Sequence, residues 1–149
     1  MPEDSAGTVP LCIVSDAAGN LWVTESFGGR VMRIEADDAS RTDNITEWMA
    51  SPLRAPGGNG FGANGLTLVD GQLVVSNGDS GMLFPVSPNS ADPADDLTPI
   101  ALTEGGVEVT LCGPDGLSAV PGTSDVVVVE NGFCASAIPR VSRVSIEGL

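Results

Sequence analysis

Three stretches of the chain carry short apolar runs between glycine-rich turns, in the same order each time. Gly19-Asn20-Leu21-Trp22-Val23-Thr24-Glu25, Gly71-Gln72-Leu73-Val74-Val75-Ser76-Asn77 and Ser124-Asp125-Val126-Val127-Val128-Val129-Glu130 each read as a turn, a β-rich run and a closing polar residue. Glu25 and Asn77 are 52 positions apart, and Asn77 and Glu130 are 53 apart. A second matched pair lies just upstream of the later two runs: Gly62-Ala63-Asn64-Gly65-Leu66 and Gly113-Pro114-Asp115-Gly116-Leu117, with Asn64 and Asp115 separated by 51. In the first repeat Pro10-Leu11-Cys12-Ile13-Val14 takes that place, and the polar residue is lost or shifted. Downstream, Arg30-Val31-Met32-Arg33-Ile34-Glu35, Met82-Leu83-Phe84-Pro85-Val86 and Arg140-Val141-Ser142-Arg143-Val144-Ser145-Ile146 form a third set.

These patterns predict several short strands per repeat and no capped helix of useful length. A fourth strand is expected at Ile45–Met49 in the first repeat and at Thr98–Leu102 or Val107–Leu111 in the second, with none after Ile146. Four short strands in a unit of about 50 residues is the pattern of a β-propeller blade. The expected fold is therefore all-β: blades of four antiparallel strands, three per chain, over roughly residues 10–52, 60–111 and 112–149, forming half of a six-bladed ring. A β-sandwich of roughly 11 strands is the competing reading, but sandwiches lack motifs that recur in fixed order. Propellers typically have 4–8 blades, and each blade buries its apolar face against a neighbour. Three blades are thus expected to be half of a larger protein or of an assembly. A homodimer would supply six, and residues 1–9, through Ala6-Gly7-Thr8-Val9, could provide the outer strand missing from blade three of the partner.

Composition narrows the chemistry. Of 149 residues, 42% are hydrophobic, enough to build a core. Twenty acids face six arginines, lysine and histidine are absent, and the net charge of −14 argues against nucleic acid or an anionic membrane as partner. Without histidine there is no Ser-His or Cys-His nucleophile, no imidazole base and no His-ligated zinc within one chain. No apolar run approaches the roughly 20 residues that span a bilayer. The acidic start, Met1-Pro2-Glu3-Asp4, lacks the apolar segment of a signal peptide, so none is expected. The cysteines, Cys12, Cys112 and Cys134, form no CxxC pair. They read either as three small buried residues or as a Cys112–Cys134 disulfide with one thiol left over, the latter implying an oxidising compartment.

The segments GNLWVTESFGGRVMRIE, GANGLTLVDGQLVVSN and GPDGLSAVPGTSDVVVVEN resemble the senescence-marker-protein/gluconolactonase family, the regucalcin-like six-bladed propellers, over about residues 10 to 146. The ordered pair NGL then PDGL carries the likeness. Other six-bladed groups share blade patterns, virginiamycin B lyases and paraoxonases among them, but their chemistry draws on histidine. The resemblance implies a divalent cation, Ca²⁺ first, at one mouth of the central channel. It makes Asn64 a metal ligand, and Asp115 both a ligand and the catalytic base of lactone or ester hydrolysis. A further family asparagine falls near Cys12, which does not match, and the family's first-blade glutamate has no counterpart here. Oxygen ligands suit a hard cation, and a carboxylate beside a metal-bound water can take its proton without histidine.

Each of these residues also has a plainer reading. Asn64-Gly65 and Asp115-Gly116 are good turn dipeptides. Glu25, Asn77 and Glu130 end equivalent strands and could contact a small-molecule substrate at the same mouth, or simply be solvated strand ends. Trp22 and Trp48 read as core between blades. Gly57-Gly58-Asn59-Gly60-Phe61-Gly62 lacks the Lys and the helix of a phosphate loop and reads as a channel-mouth loop. The functional expectation is a half-propeller with a cation site and lactone or ester hydrolase activity. Its alternatives are a non-catalytic binding or assembly module and a fragment of a larger six-bladed protein.

Overall fold

A computed structural model describes residues 9–36, 45–50, 53, 60–134 and 138–146. Within them the chain is all-β. β1 (Pro10–Ser15), β2 (Leu21–Glu25), β3 (Arg30–Ile34) and β4 (Ile45–Met49) form one antiparallel sheet in sequence order. β5 (Ala63–Val69), β6 (Gln72–Asn77) and β7 (Met82–Val86) form a second. A two-stranded hairpin, β8 (Thr103–Glu104) with β9 (Val107–Glu108), follows. β10 (Pro114–Ala119), β11 (Asp125–Glu130) and β12 (Arg140–Ser145) form the third large sheet. Sheets one, two and three are the three blades expected from the repeat.

Blade 1 has the full four strands. In blade 2 neither Thr98–Leu102 nor Val107–Leu111 forms a regular fourth strand. Instead the chain touches the β7 edge at two points, where Ile100 N–H donates to the Leu83 carbonyl and Leu111 N–H to that of Gly81, each at 2.9 Å. Pro99, inside the first of these two segments, cannot donate to a ladder. Blade 3 stops at three among the described residues. Of the N-terminal stretch expected to exchange, only Val9 is described. It continues β1, its carbonyl accepting from Ser26 N–H at 3.0 Å. Residues 1–8 lie outside the described residues, as do residues 57–59 of the glycine-rich loop.

Local sequence accounts for the turns. Asp70-Gly71 joins β5 to β6 with both residues at positive φ, +50° and +77°, the two-residue turn that matches strand twist. Asp16 organises the first hairpin: its carboxylate accepts from Ala18 N–H, Asn20 N–H, the Asn20 amide and the Trp22 indole, at 2.9–3.2 Å. Burial pushes this carboxyl up, but those hydrogen bonds outweigh it and hold it below its ordinary pKa.

The core lies between blades. Trp22, Val31 and Met49 of blade 1 pack on Leu66, Leu73, Val75 and Val86 of blade 2, with Trp48 edge-on to Trp22 at 4.8 Å. The other face of blade 2, through Val69, Val74 and Leu83, packs on Val126 and Val128 of blade 3. β6 is therefore buried on both faces, and each such Val or Leu contributes roughly 1.5–3 kcal/mol.

Candidate functional site

The inner strands β1, β5 and β10 pack side by side, and each carries one extra residue near its start. The ladder slips between Pro10 and Cys12, between Ala63 and Leu66, and between Pro114 and Leu117. Pairing with the second strand sets the equivalences. Pro10, Ala63 and Pro114 sit opposite Glu25, Asn77 and Glu130, while Ile13, Leu66 and Leu117 sit opposite Val23, Val75 and Val128. Leu11, Asn64 and Asp115 are therefore the same position of the three blades. The residue standing where blades 2 and 3 carry Asn and Asp is Leu11, one place earlier than Cys12.

A bulge re-aims side chains, and here it turns all three into one cavity of about 240 Å³. Leu11, Asn64 and Asp115 line it together with Phe61, Gly78, Gly113, Asn131 and Phe133. Close approach of β5 and β10 requires glycine at 65, where a Cβ would lie 1.8 Å from the Asp115 carbonyl oxygen. Hydroxyls strap the blades together behind the bulges. Thr24 Oγ1 accepts from Cys12 N–H at 3.2 Å and donates to the Asn64 carbonyl at 2.5 Å. At the equivalent place Ser76 Oγ accepts from Gly65 N–H at 2.8 Å and donates to the Pro114 carbonyl at 3.2 Å.

Asn64 is 5% exposed, and its Oδ1 is fully enclosed with no hydrogen-bond partner. Ser26 Oγ, Arg33 Nε and Asp79 Oδ2 share that condition among the described residues, but none of those residues lines the cavity. An unpaired buried carbonyl costs about 1–3 kcal/mol, and among the cavity-lining residues Asn64 alone carries that cost. Asp115 is half-buried, and its Oδ2 accepts from the Asn131 amide at 2.6 Å. Asn131 escaped the sequence reading, although it directly follows the strand-ending Glu130. The rim is apolar: Phe61 lies between Phe27, at 5.8 Å, and Phe133, at 6.3 Å and nearly parallel. Three of the chain's four phenylalanines thus gather at this mouth.

Glu25, Asn77 and Glu130 do not line the cavity. Glu25 and Asn77 anchor the turns after their strands, and Glu130 ties the start of β10 to β12. Glu25 accepts from Gly28 N–H at 2.8 Å and from Arg30 at 3.0 Å. Asn77 donates to the Leu53 carbonyl and accepts from Asp79 and Ser80 N–H. Glu130, fully buried, accepts from Cys112 N–H at 2.7 Å, Arg140 at 2.7 Å and Ser142 Oγ. Burial pushes its carboxyl up, yet these donors prevail and hold it below the ordinary glutamate range. Cys112 is bonded to Cys134 across 5.4 Å between Cα atoms, clamping the Phe133 loop to the start of β10, and Cys12 is the free thiol.

A larger cavity, about 480 Å³, lies between the β8–β9 hairpin and β12. None of the buried polar side chains lines it.

No protein-family model matches the chain, and no curated protein matches it. Solved structures do. A luciferin-regenerating enzyme superposes with a TM-score of 0.66 at 15% identity, over 94% of this chain and 46% of that one. Virginiamycin B lyase from Staphylococcus aureus matches with a TM-score of 0.52 at 14% identity, over 93% of this chain and 41% of its own. A streptogramin B lyase matches with 0.55 at 17% identity, over 99% and 43%. The chain is part of a β-propeller. It spans less than half the length of each of these structures, and at such identities the likeness is one of fold.

Proposed function

We propose that the cavity at the inner-strand bulges is a cation-assisted hydrolytic site for a small lactone or ester. The enclosed, unpartnered Asn64 Oδ1 beside the Asp115 carboxylate carries this reading. An amide oxygen and a carboxylate are the donors a hard divalent cation prefers, Ca²⁺ or Mg²⁺. Among the described residues no three His, Cys, Asp or Glu side chains come within reach of one ion, so further ligands would be water or groups from the blades opposite. A bound cation would supply polarisation of the substrate carbonyl and acidification of water.

The chain's own residues divide the remaining tasks. The Asn131 amide holds Asp115 Oδ2, which fixes the carboxylate plane and leaves Oδ1 to take a proton from the attacking water. Leu11, Phe61 and Phe133 give the cavity apolar wall, and they receive the apolar part of a ligand.

A second reading, a binding module without catalysis, is favoured by Leu11. It puts an apolar side chain where two blades put oxygen donors, and so thins the ligand set.

Melting in the presence of Ca²⁺, Mg²⁺, Mn²⁺ or Zn²⁺ tests the site. At a hundredfold excess over the dissociation constant, binding adds about 2.7 kcal/mol, or about 5–10 °C for a chain of this size. The shift is expected in the wild type and absent in Asp115→Asn. An equal shift in that variant overturns the site. A shift without cation-dependent lactone hydrolysis leaves the second reading.

A further inference from the structure

We propose that Leu11, Phe61 and Phe133 make this cavity selective for a lactone or ester whose non-reacting part is a hydrocarbon or aryl group, and that a polyhydroxylated one is turned away. The inference rests on the reading of the cavity as a hydrolytic site and deepens it.

The aromatic wall is built into the fold. Each phenylalanine of the mouth lies on a glycine. A Cβ at position 78 would come within 2.7 Å of the Phe61 carbonyl oxygen, so Phe61 takes its place only because residue 78 is Gly. Gly113 and Gly60, both at positive φ, lay bare backbone against Phe133 and Phe27, with their Cβ positions 3.5 and 3.4 Å from those side chains. Position 78 is also where blade 2 departs from blade 3. Gly78 follows Asn77 as Asn131 follows Glu130, the residue equivalent to Asn77. Blade 3 puts an amide there, whereas blade 2 gives up the side chain and admits an aromatic ring.

The wall is not needed as core. Neither hydrophobic cluster between the blades includes Leu11, Phe27, Phe61 or Phe133. Phe133 is 66% exposed and Leu11 43%, yet Phe133 is fixed by the neighbouring Cys112–Cys134 bond and stacks on Phe61. Apolar side chains held in place outside the core, around a polar pair, form a contact surface for a ligand. The cavity, about 240 Å³, is close to the lower end of the roughly 300–1,000 Å³ of small-molecule pockets.

Polar partners in it are few. Asn64, Asp115 and Asn131 are the polar side chains of the lining, and Asn131 is bound to Asp115 at 2.6 Å. Asn64 and Asp115 are engaged with the reacting end of the substrate, so whatever extends beyond it faces Leu11, Phe61 and Phe133. A ring bearing several hydroxyls would lay them against hydrocarbon, where each loses water without gaining a partner. An alkyl chain or a phenyl ring gains by leaving water at the same place.

Two δ-lactones with the same six-membered ring test the selectivity in the presence of Ca²⁺: one carrying a pentyl chain (δ-decalactone) and one polyhydroxylated (glucono-δ-lactone). The kcat/KM for the pentyl lactone is expected to be at least about tenfold higher, and Phe133→Ser and Leu11→Ser are each expected to narrow that ratio. The ratio within one variant does not depend on how much of it is folded. Equal rates, a preference for the polyhydroxy lactone, or a ratio that both variants leave unchanged overturns the inference. Melting with the non-hydrolysable pentyl-substituted δ-lactam separates selectivity from catalysis. A shift by the lactam that Phe133→Ser removes, without hydrolysis of either lactone, leaves the apolar selectivity standing and ends the hydrolytic reading. A shift by Ca²⁺ but none by the lactam leaves the cation site standing and overturns the selectivity, and so does a protein that responds to neither.

Discussion

The starts of the inner strands and the ends of the second strands are paired neighbours. Ala63 lies opposite Asn77, and Pro114 opposite Glu130. Both places put polar residues at one end of the blades, yet they behave in opposite ways. Glu130 is fully buried and meets a backbone N–H, a guanidinium and a hydroxyl. Asn64 is nearly as buried, and its Oδ1 meets nothing. Burial of a polar group alone therefore says little. A buried acceptor with its donors in place holds the fold, whereas one left unpaired is a cost to it, and in the proposed site that unpaired oxygen is the one a ligand would meet.

That contrast can be broken by mutation. Glu130→Ala strands the Cys112 N–H and the Ser142 hydroxyl, and is expected to cost about 3–4 kcal/mol in denaturant unfolding. A loss below about 1 kcal/mol would place Glu130 with the ligand-facing residues instead.

Reducing the Cys112–Cys134 bond, which closes a loop with a sequence separation of 22, is expected to cost about 3 kcal/mol by chain entropy. It should also free the Phe133 loop, so cation-induced stabilisation is expected to weaken in the reduced protein. Calorimetry with and without reductant checks both.

Acid sharpens the same contrast. The pKa of Glu130 is depressed on folding, so its contribution is present above the unfolded-state value and is lost as pH falls through the folded one. Stability is expected to decline below the ordinary carboxylate range, with Asp16 adding in the same direction. Glu130→Gln should flatten that acid limb, and urea midpoints between neutral pH and pH of about 3 read it. An unchanged limb would assign it to other carboxylates.

The smallest stability effects belong to the cavity. Asp115→Asn and Asn64→Ala are each expected to move unfolding by no more than about 1 kcal/mol, while the first abolishes cation-induced stabilisation and the second reduces it. Equal stability losses at Asp115 and Glu130 would erase the distinction between the two places.

Much of this was legible along the chain. The order of motifs gave three blades, and NGL and PDGL marked two residues that the fold turns into one cavity. The glycine after each mattered more than a turn dipeptide would suggest: Gly65 is needed because two strands nearly touch there. The third member of the set could be placed only near Cys12, and the ladder puts it at Leu11, because a bulge inserts a residue that spacing alone cannot locate. Asn131 and the phenylalanine rim were missed because they come from turns, where no periodicity marks which side chains converge. Glu25, Asn77 and Glu130 read either as ligand-facing residues or as solvated strand ends, and they are neither: all three are buried, on Arg30, the Leu53 carbonyl and the Cys112 N–H, partners that the order of residues does not reveal.

Alternation of apolar and polar residues fixed the strands, their repeat and the faces that must be covered, because a pleated strand offers alternate sides to water and to its neighbour. Which polar residues hold the fold and which remain open was decided only by tertiary structure. Hydrogen-bond satisfaction depends on groups distant in sequence that one-residue bulges bring into reach.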